Sequence, residues 1–232
     1  MTGLSGGTEA EAFYGTSYTA VHRRGLQGWG NSLTDRQVEK LAIRRQGQTV
    51  MELGASSGEH LNFIATRPDW QSYVALDLLP AVTDPALAAR LARSAHVRFV
   101  SGDVSRMPFA TDAFDLVIST CLFAHLRDPE AALVETRRVV RPGGQIVIGL
   151  PCDPGMLNRA VKLVVTYPRL RRAGVGDPRL KYAREHVNPV GSLLALASHV
   201  FRGDRVRVRY HPFRVPSWNA NLLATIDVKV RG

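Results

Sequence analysis

The chain has few cysteines, few aromatics and no long apolar run, and each shortage excludes something. Only Cys121 and Cys152 occur in 232 residues, which argues against a disulfide-stapled scaffold and fits a reducing cytoplasm. The opening MTGLSGGTEAEAFYGTSYTA lacks the basic start and apolar run of a secretory leader and reads as a flexible tail. No stretch reaches the roughly 20 apolar residues that span a bilayer. Aromatic residues make up 7% of the chain, and no platform of interleaved aromatic and basic residues for single-stranded nucleic acid is evident. No Cys/His set has zinc spacing and the acids are scattered, so no metal site is expected.

A hydrophobic content of 45% over 232 residues is enough for one sizeable core. A single domain over 31–232 is expected, preceded by a flexible segment over 1–30. The net charge of +10 is unevenly placed: residues 1–150 hold 15 basic and 15 acidic side chains, whereas 151–232 hold 15 against 5. Arginine outnumbers lysine throughout, so compositional bias accounts for individual arginines but not for this asymmetry.

Short β-type runs alternate with helical stretches, the pattern of βαβ units and a mostly parallel sheet. Thr34 and Gln37 form a capping-box pattern that predicts a helix from there to about Arg45. QTVMEL is the first strand, EHLNFIATR a helix and SYVALD the second strand. Asp84-Pro85 opens a helix through ALAARLAR, followed by the strands HVRFVS and FDLVIST. Asp128-Pro129 opens EAALVETRRVV, which Pro142-Gly143-Gly144 ends before the strand QIVIGL. Beyond Leu150 the spacing predicts helices near 156–165 and 190–201 and two last strands. In RVRVRY, arginines 205, 207 and 209 alternate with Val206, Val208 and Tyr210.

The sharpest local signal is VMELGASSGEH, in which an apolar strand ends at Glu52 and enters a helix through Gly54, Ala55, Ser56 and Gly58. A dinucleotide fingerprint needs glycines where this chain has Ser56 and Glu59. A ligand without phosphates asks less of such a loop. Asp77 closes the second strand at the distance expected for an acceptor of two ribose hydroxyls, with a helix cap or surface acid as the plainer reading. Asp103 follows the third strand, where it can accept from an exocyclic adenine amine, with Leu78 and Val104 beside the ring; otherwise it is a turn residue. Polar groups at three successive strand ends converge on the crevice where open sheets bind ligands.

ELGASSG, the acid of ALD, GDVSRMPF, FDLVIST and RRVVRPGGQIVIGLP together resemble the class I S-adenosylmethionine (SAM)-dependent methyltransferase family, over about residues 48–150. The resemblance implies a Rossmann-like α/β fold: a seven-stranded, mostly parallel sheet with helices on both faces and an antiparallel last strand. It implies SAM as cofactor and S-adenosylhomocysteine as product. Glu52, Gly54, Ala55, Ser56 and Gly58 would surround the methionine part, Asp77 the ribose, Asp103 and Val104 the adenine, and Thr120 and Cys121 the sulfonium. Ser56 replaces a glycine common in the family. The segment after the core resembles a bacterial subgroup of glycan and secondary-metabolite pathways.

Transfer to a hydroxyl needs alignment and a base. His125, after the fourth strand, is the first candidate and His186, beside Glu185 as an orienting carboxylate, the second; capping or packing is the structural alternative for both. Asp153 is a candidate for holding a substrate hydroxyl. Arg169, Arg171, Arg172 and Arg179 are a candidate clamp for an anionic group. Trp29 before the first core helix, with Tyr14 and Tyr18, could form a lid. The expected activity is O-methylation of a small hydroxylated acceptor, such as a sugar, glycan precursor or secondary metabolite, carrying an acidic group. An RNA methyltransferase, a silent SAM-binding or partner-binding module and a basic protein resting on anionic membrane remain as alternatives. A homodimer is the candidate assembly.

Overall fold

The computed structural model describes residues 26–43, 45–56, 60, 70–78, 89 and 96–232, with residues 26–32 described by backbone alone. Apart from His60 and Ala89, the expected helices over 59–67 and 85–93 lie outside the described residues, as do Tyr14, Tyr18 and Gly58. Among the described residues, seven strands, β1 (Gln48–Leu53), β2 (Trp70–Asp77), β3 (Val97–Ser101), β4 (Phe114–Thr120), β5 (Val140–Pro151), β6 (Arg205–His211) and β7 (Leu223–Lys229), form one sheet in the order β3-β2-β1-β4-β5-β7-β6. Pairing from β3 through β5 is parallel. β7 runs antiparallel to both β5 and β6.

Described helices are α1 (Leu26–Leu41), α2 (Pro129–Val139), α3 (Met156–Val161), α4 (Tyr167–Arg172), α5 (Pro178–Glu185) and α6 (Val190–Val200), with a 3-10 turn at Leu122–His125 and a π turn at Lys162–Thr166. The pleat sorts strand residues onto two faces. Met51, Leu53, Val74, Leu76, Val117, Ile146 and Ile148 share a core with Leu133 of α2 and Leu193 of α6. Val50, Tyr73, Ala75, Leu116, Ile118 and Val147 pack under Val38 of α1. Both faces of the central strands are therefore buried, which is why they read as near-continuous apolar runs. The edge strand β6 places its arginines outward, which discourages pairing with another chain.

Several expectations need correction. The first helix begins at Leu26 and ends at Leu41, not at Thr34, and so contains Trp29. Gly28 and Gly30 weaken its intrinsic propensity, but the buried Thr34 and Val38 seat the helix on β5, where a Cβ at Gly149 would lie 2.6 Å from the Thr34 methyl. Pro142-Gly143-Gly144 does not separate a helix from a strand. β5 begins at Val140 directly after α2, and the glycines absorb a register shift as the pairing passes from Phe114↔Val140 to Leu116↔Gln145. Asp128 caps α2 as expected, accepting from the Ala131 amide at 2.9 Å, with proline in the first turn.

Candidate active site

The strand order reverses between β1 and β4, and open α/β sheets bind ligands at the carboxyl ends beside such a point. Gly54 sits there with φ +74°, and a Cβ on it would come within 2.9 Å of the Leu122 side chain; both facts favour glycine. The turn is tied to β2, since the Gly54 amide donates to the Leu76 carbonyl at 2.8 Å and the Ser56 amide to the Asp77 carboxylate at 2.8 Å. Ser56 also adopts a left-handed φ of 45°. Asp77 is thus joined to the glycine turn at the end of its strand. Leu78 beside it is 66% exposed, an apolar surface open to a ring.

Asp103 turns one oxygen onto the Ser105 amide at 2.8 Å. Val104 is buried in the main core, so it can meet a ligand only through its backbone. Ala55 is buried with α1 and β2. Thr120 ends β4, and Cys121 follows with φ 61°, its amide donating to Gly149 O at 2.9 Å. Burial pushes the Cys121 thiol up to about 12, so it is a neutral wall. Cys121 and Cys152 are both free thiols. An acid at the end of each of β1 and β2, another just after β3 and a glycine turn that admits close approach fit an adenosine-type ligand with a charged amino-acid tail.

The residue that the sequence reading missed here is His60. The pleat puts Glu52 on the Tyr73 face of the sheet, where the Tyr73 hydroxyl donates to it at 2.7 Å. On the same face, Asp35 and Glu39 of α1 stand one turn apart and contact the two ring nitrogens of His60 at 3.1 and 3.0 Å. Burial would depress the imidazolium, but Glu52, Asp35 and Glu39 outweigh it and hold the His60 pKa up at about 10. Burial raises the Glu52 pKa against the pull of His60 and Tyr73. A protonated His60 therefore ties α1 to the floor of the glycine turn. The carboxylates at i, i+4 followed by a histidine two residues past Gly58 were its only trace in the sequence.

A second cluster gathers beyond β4 and β5. His125, at the end of the 3-10 turn, meets His186 edge to face, with ring centroids 4.8 Å apart at 82°. His186 Nδ1 lies 3.1 Å from Asp153 Oδ2, the same oxygen to which Lys162 Nζ donates. Lys162 also sits over the Tyr182 ring, 4.2 Å from its centroid. Burial would raise the Asp153 carboxyl, but His186 and Lys162 more than reverse this and hold its pKa at about 2. Asn188 fixes the arrangement: its side-chain amide donates to Phe123 O at 3.0 Å and Leu126 O at 2.6 Å, and its backbone amide to Ala124 O at 3.1 Å.

One expectation changes accordingly. The carboxylate that orients His186 is Asp153, because Glu185 is engaged by Lys181 one helical turn away. Asp153 Oδ2 is shared by His186 and Lys162, so this carboxylate positions the imidazole. Arg169, Arg171 and Arg172 are exposed in α4, and Arg179 in α5.

A sheet with this order, with Glu52, Asp77 and Asp103 at or just after the ends of β1 to β3, defines a Rossmann-like α/β class. A profile for a methyltransferase domain matches residues 51–148. The demethylmenaquinone methyltransferase of Mycolicibacterium paratuberculosis is 31% identical over 172 residues, 71% of this chain and 70% of that one. Its counterpart in Thermus thermophilus is 30% identical over 113 residues, 49% of this chain and 51% of that one, so the match spans about half of that relative's length. The N-methyltransferase NodS from Bradyrhizobium japonicum, solved in complex with S-adenosyl-L-homocysteine, shares the fold with a TM-score of 0.59 at 15% identity, over 88% of each chain. The chain belongs to the class I SAM-dependent methyltransferase family, and SAM is its cofactor.

Proposed function

We propose that the chain transfers the methyl group of SAM to a hydroxyl of a small acceptor, such as a sugar, glycan precursor or secondary metabolite, that also carries an anionic group. The observation that carries this reading is the cluster of Asp153, His186 and His125 beyond the carboxyl ends of β4 and β5. Bound SAM supplies a methyl group on a positively charged sulfur, open to in-line displacement. The chain's own residues do the rest. Asp77 holds the ribose, while Gly54, Ala55 and Ser56 surround the amino-acid end beside Glu52. His125 takes the proton of the acceptor hydroxyl as the oxygen bonds to the methyl carbon, and His186, anchored by Asp153, fixes the ring that receives it. Arg169, Arg171 and Arg172 bind the anionic group.

A demethylmenaquinone-type quinone is a second acceptor reading, favoured by the mycobacterial relative that matches 71% of the chain. Both are tested by incubating the chain and SAM with polyol acids, sugar phosphates and a demethylated menaquinone kept reduced to its quinol by dithionite, and reading the one-methyl mass gain. The expected product is a methylated polyol acid or sugar phosphate, and His125→Gln lowers its kcat by about 100-fold or more while S-adenosylhomocysteine affinity holds. Turnover unchanged in His125→Gln removes the base, and methylation confined to the quinone replaces the acceptor.

A further inference from the structure

Helix α3, the π turn and α4 run end to end over 156–172, and the buried Lys162 and Leu170 set which side faces the protein. Over 156–164 the other side is largely apolar. Met156 is 73% exposed, Leu163 41% and Val164 75%, at the i, i+7, i+8 spacing of one helical stripe. The start of α3 is joined to the loop before β7, because the Met156 amide donates to Asn219 Oδ1 at 3.3 Å. This loop presents Phe213, Val215 and Trp218, which are 62%, 47% and 39% exposed. It is firmly pinned: the fully buried Asn221 accepts from the Phe213 amide and donates to Val215 O and Ser217 O, all at 2.9 Å. Large apolar side chains displayed on adjoining, fixed elements mark an interaction surface.

Charge selects the partner. No aspartate or glutamate occurs between Pro154 and Gly176 or between Arg205 and Ile226, whereas Arg159 and Arg214 in those stretches are exposed. A second copy would bring like charge against like. Apolar residues flanked by arginine suit an interface whose outer layer is phosphate and whose inner layer is hydrocarbon. We propose that this face docks the protein on the surface of an anionic phospholipid bilayer, with the apolar side chains entering the headgroup boundary and the arginines meeting the phosphates.

The full chain is sedimented with vesicles of phosphatidylcholine alone and with vesicles that also contain phosphatidylglycerol. The expected result is retention on the anionic vesicles only. Joint substitution Val164→Glu and Phe213→Glu reduces it by about tenfold or more, the Val164→Leu and Phe213→Leu pair retains it, and the thermal shift with S-adenosylhomocysteine is unchanged in all three proteins. Absence of retention on anionic vesicles overturns the proposal, as does full retention of the Glu pair, which would reduce binding to charge alone. A parent dimer in sedimentation velocity that the Glu pair dissociates would give the face to a second copy instead.

Discussion

His60 shows how one side chain joins two elements. Its imidazolium is enclosed by Asp35, Glu39 and Glu52 with little access to water, so removing it leaves buried carboxylates uncompensated. His60→Gln is expected to cost about 3 kcal/mol of stability, read as a lower melting temperature at pH 6.5; an unchanged melt contradicts the role. The sign of the pH dependence follows from a folded pKa of about 10 against the ordinary imidazole value of 6.5. This stabilisation is complete below about pH 6.5 and is lost as pH rises toward 10, so parent and variant melts should converge in alkali. Glu52, Asp77 and Asp103 were legible in the sequence because each lies at or just after a strand end. His60 was not, because its partners lie on a helix whose position only tertiary packing sets.

At the scale of elements, Asn188 clamps the 3-10 turn after β4 to the segment entering α6, and this brings His125 and His186 together. Asn188→Ala should cost about 1–3 kcal/mol for the carbonyls left unpaired. It should lower kcat more than it changes KM or S-adenosylhomocysteine affinity, since the crevice at β1 to β3 is untouched. A kcat equal to the parent's would show that the histidines need no clamp. All seven strands were readable from apolar runs and turn residues. The true start of α1 was hidden by glycines that packing on β5 overrides. α5 is so polar that periodicity says nothing of it, yet Asp177-Pro178 carries the same start signal as Asp128-Pro129, with the Asp177 carboxylate accepting from the Arg179 amide at 2.9 Å. The pairing of His186 with Asp153, 33 residues away, depends on how the chain returns from β5 and could not be read from local pattern, which favoured Glu185.

Over the whole molecule, function divides along the chain as charge does. The neutral first 150 residues carry the acids at the ends of β1 to β3 and His125, and the basic remainder supplies His186 and Asp153, the arginine helices and the apolar face. Joint replacement of Arg169, Arg171 and Arg172 by glutamine should raise KM for an acidic acceptor by about tenfold or more, with kcat at saturation little changed. An equal KM would take these arginines out of acceptor binding. The division also explains what the sequence conveyed: the cofactor half follows strand-end rules, whereas the acceptor half is defined by contacts between segments distant in the chain.

The most direct test of the account is calorimetric titration of S-adenosylhomocysteine into the parent and into Asp77→Ala. The account predicts one site in the parent and an affinity weaker by about tenfold or more in the variant, from loss of the ribose acceptors. Absence of binding to the parent, or equal affinity in the two proteins, would contradict it.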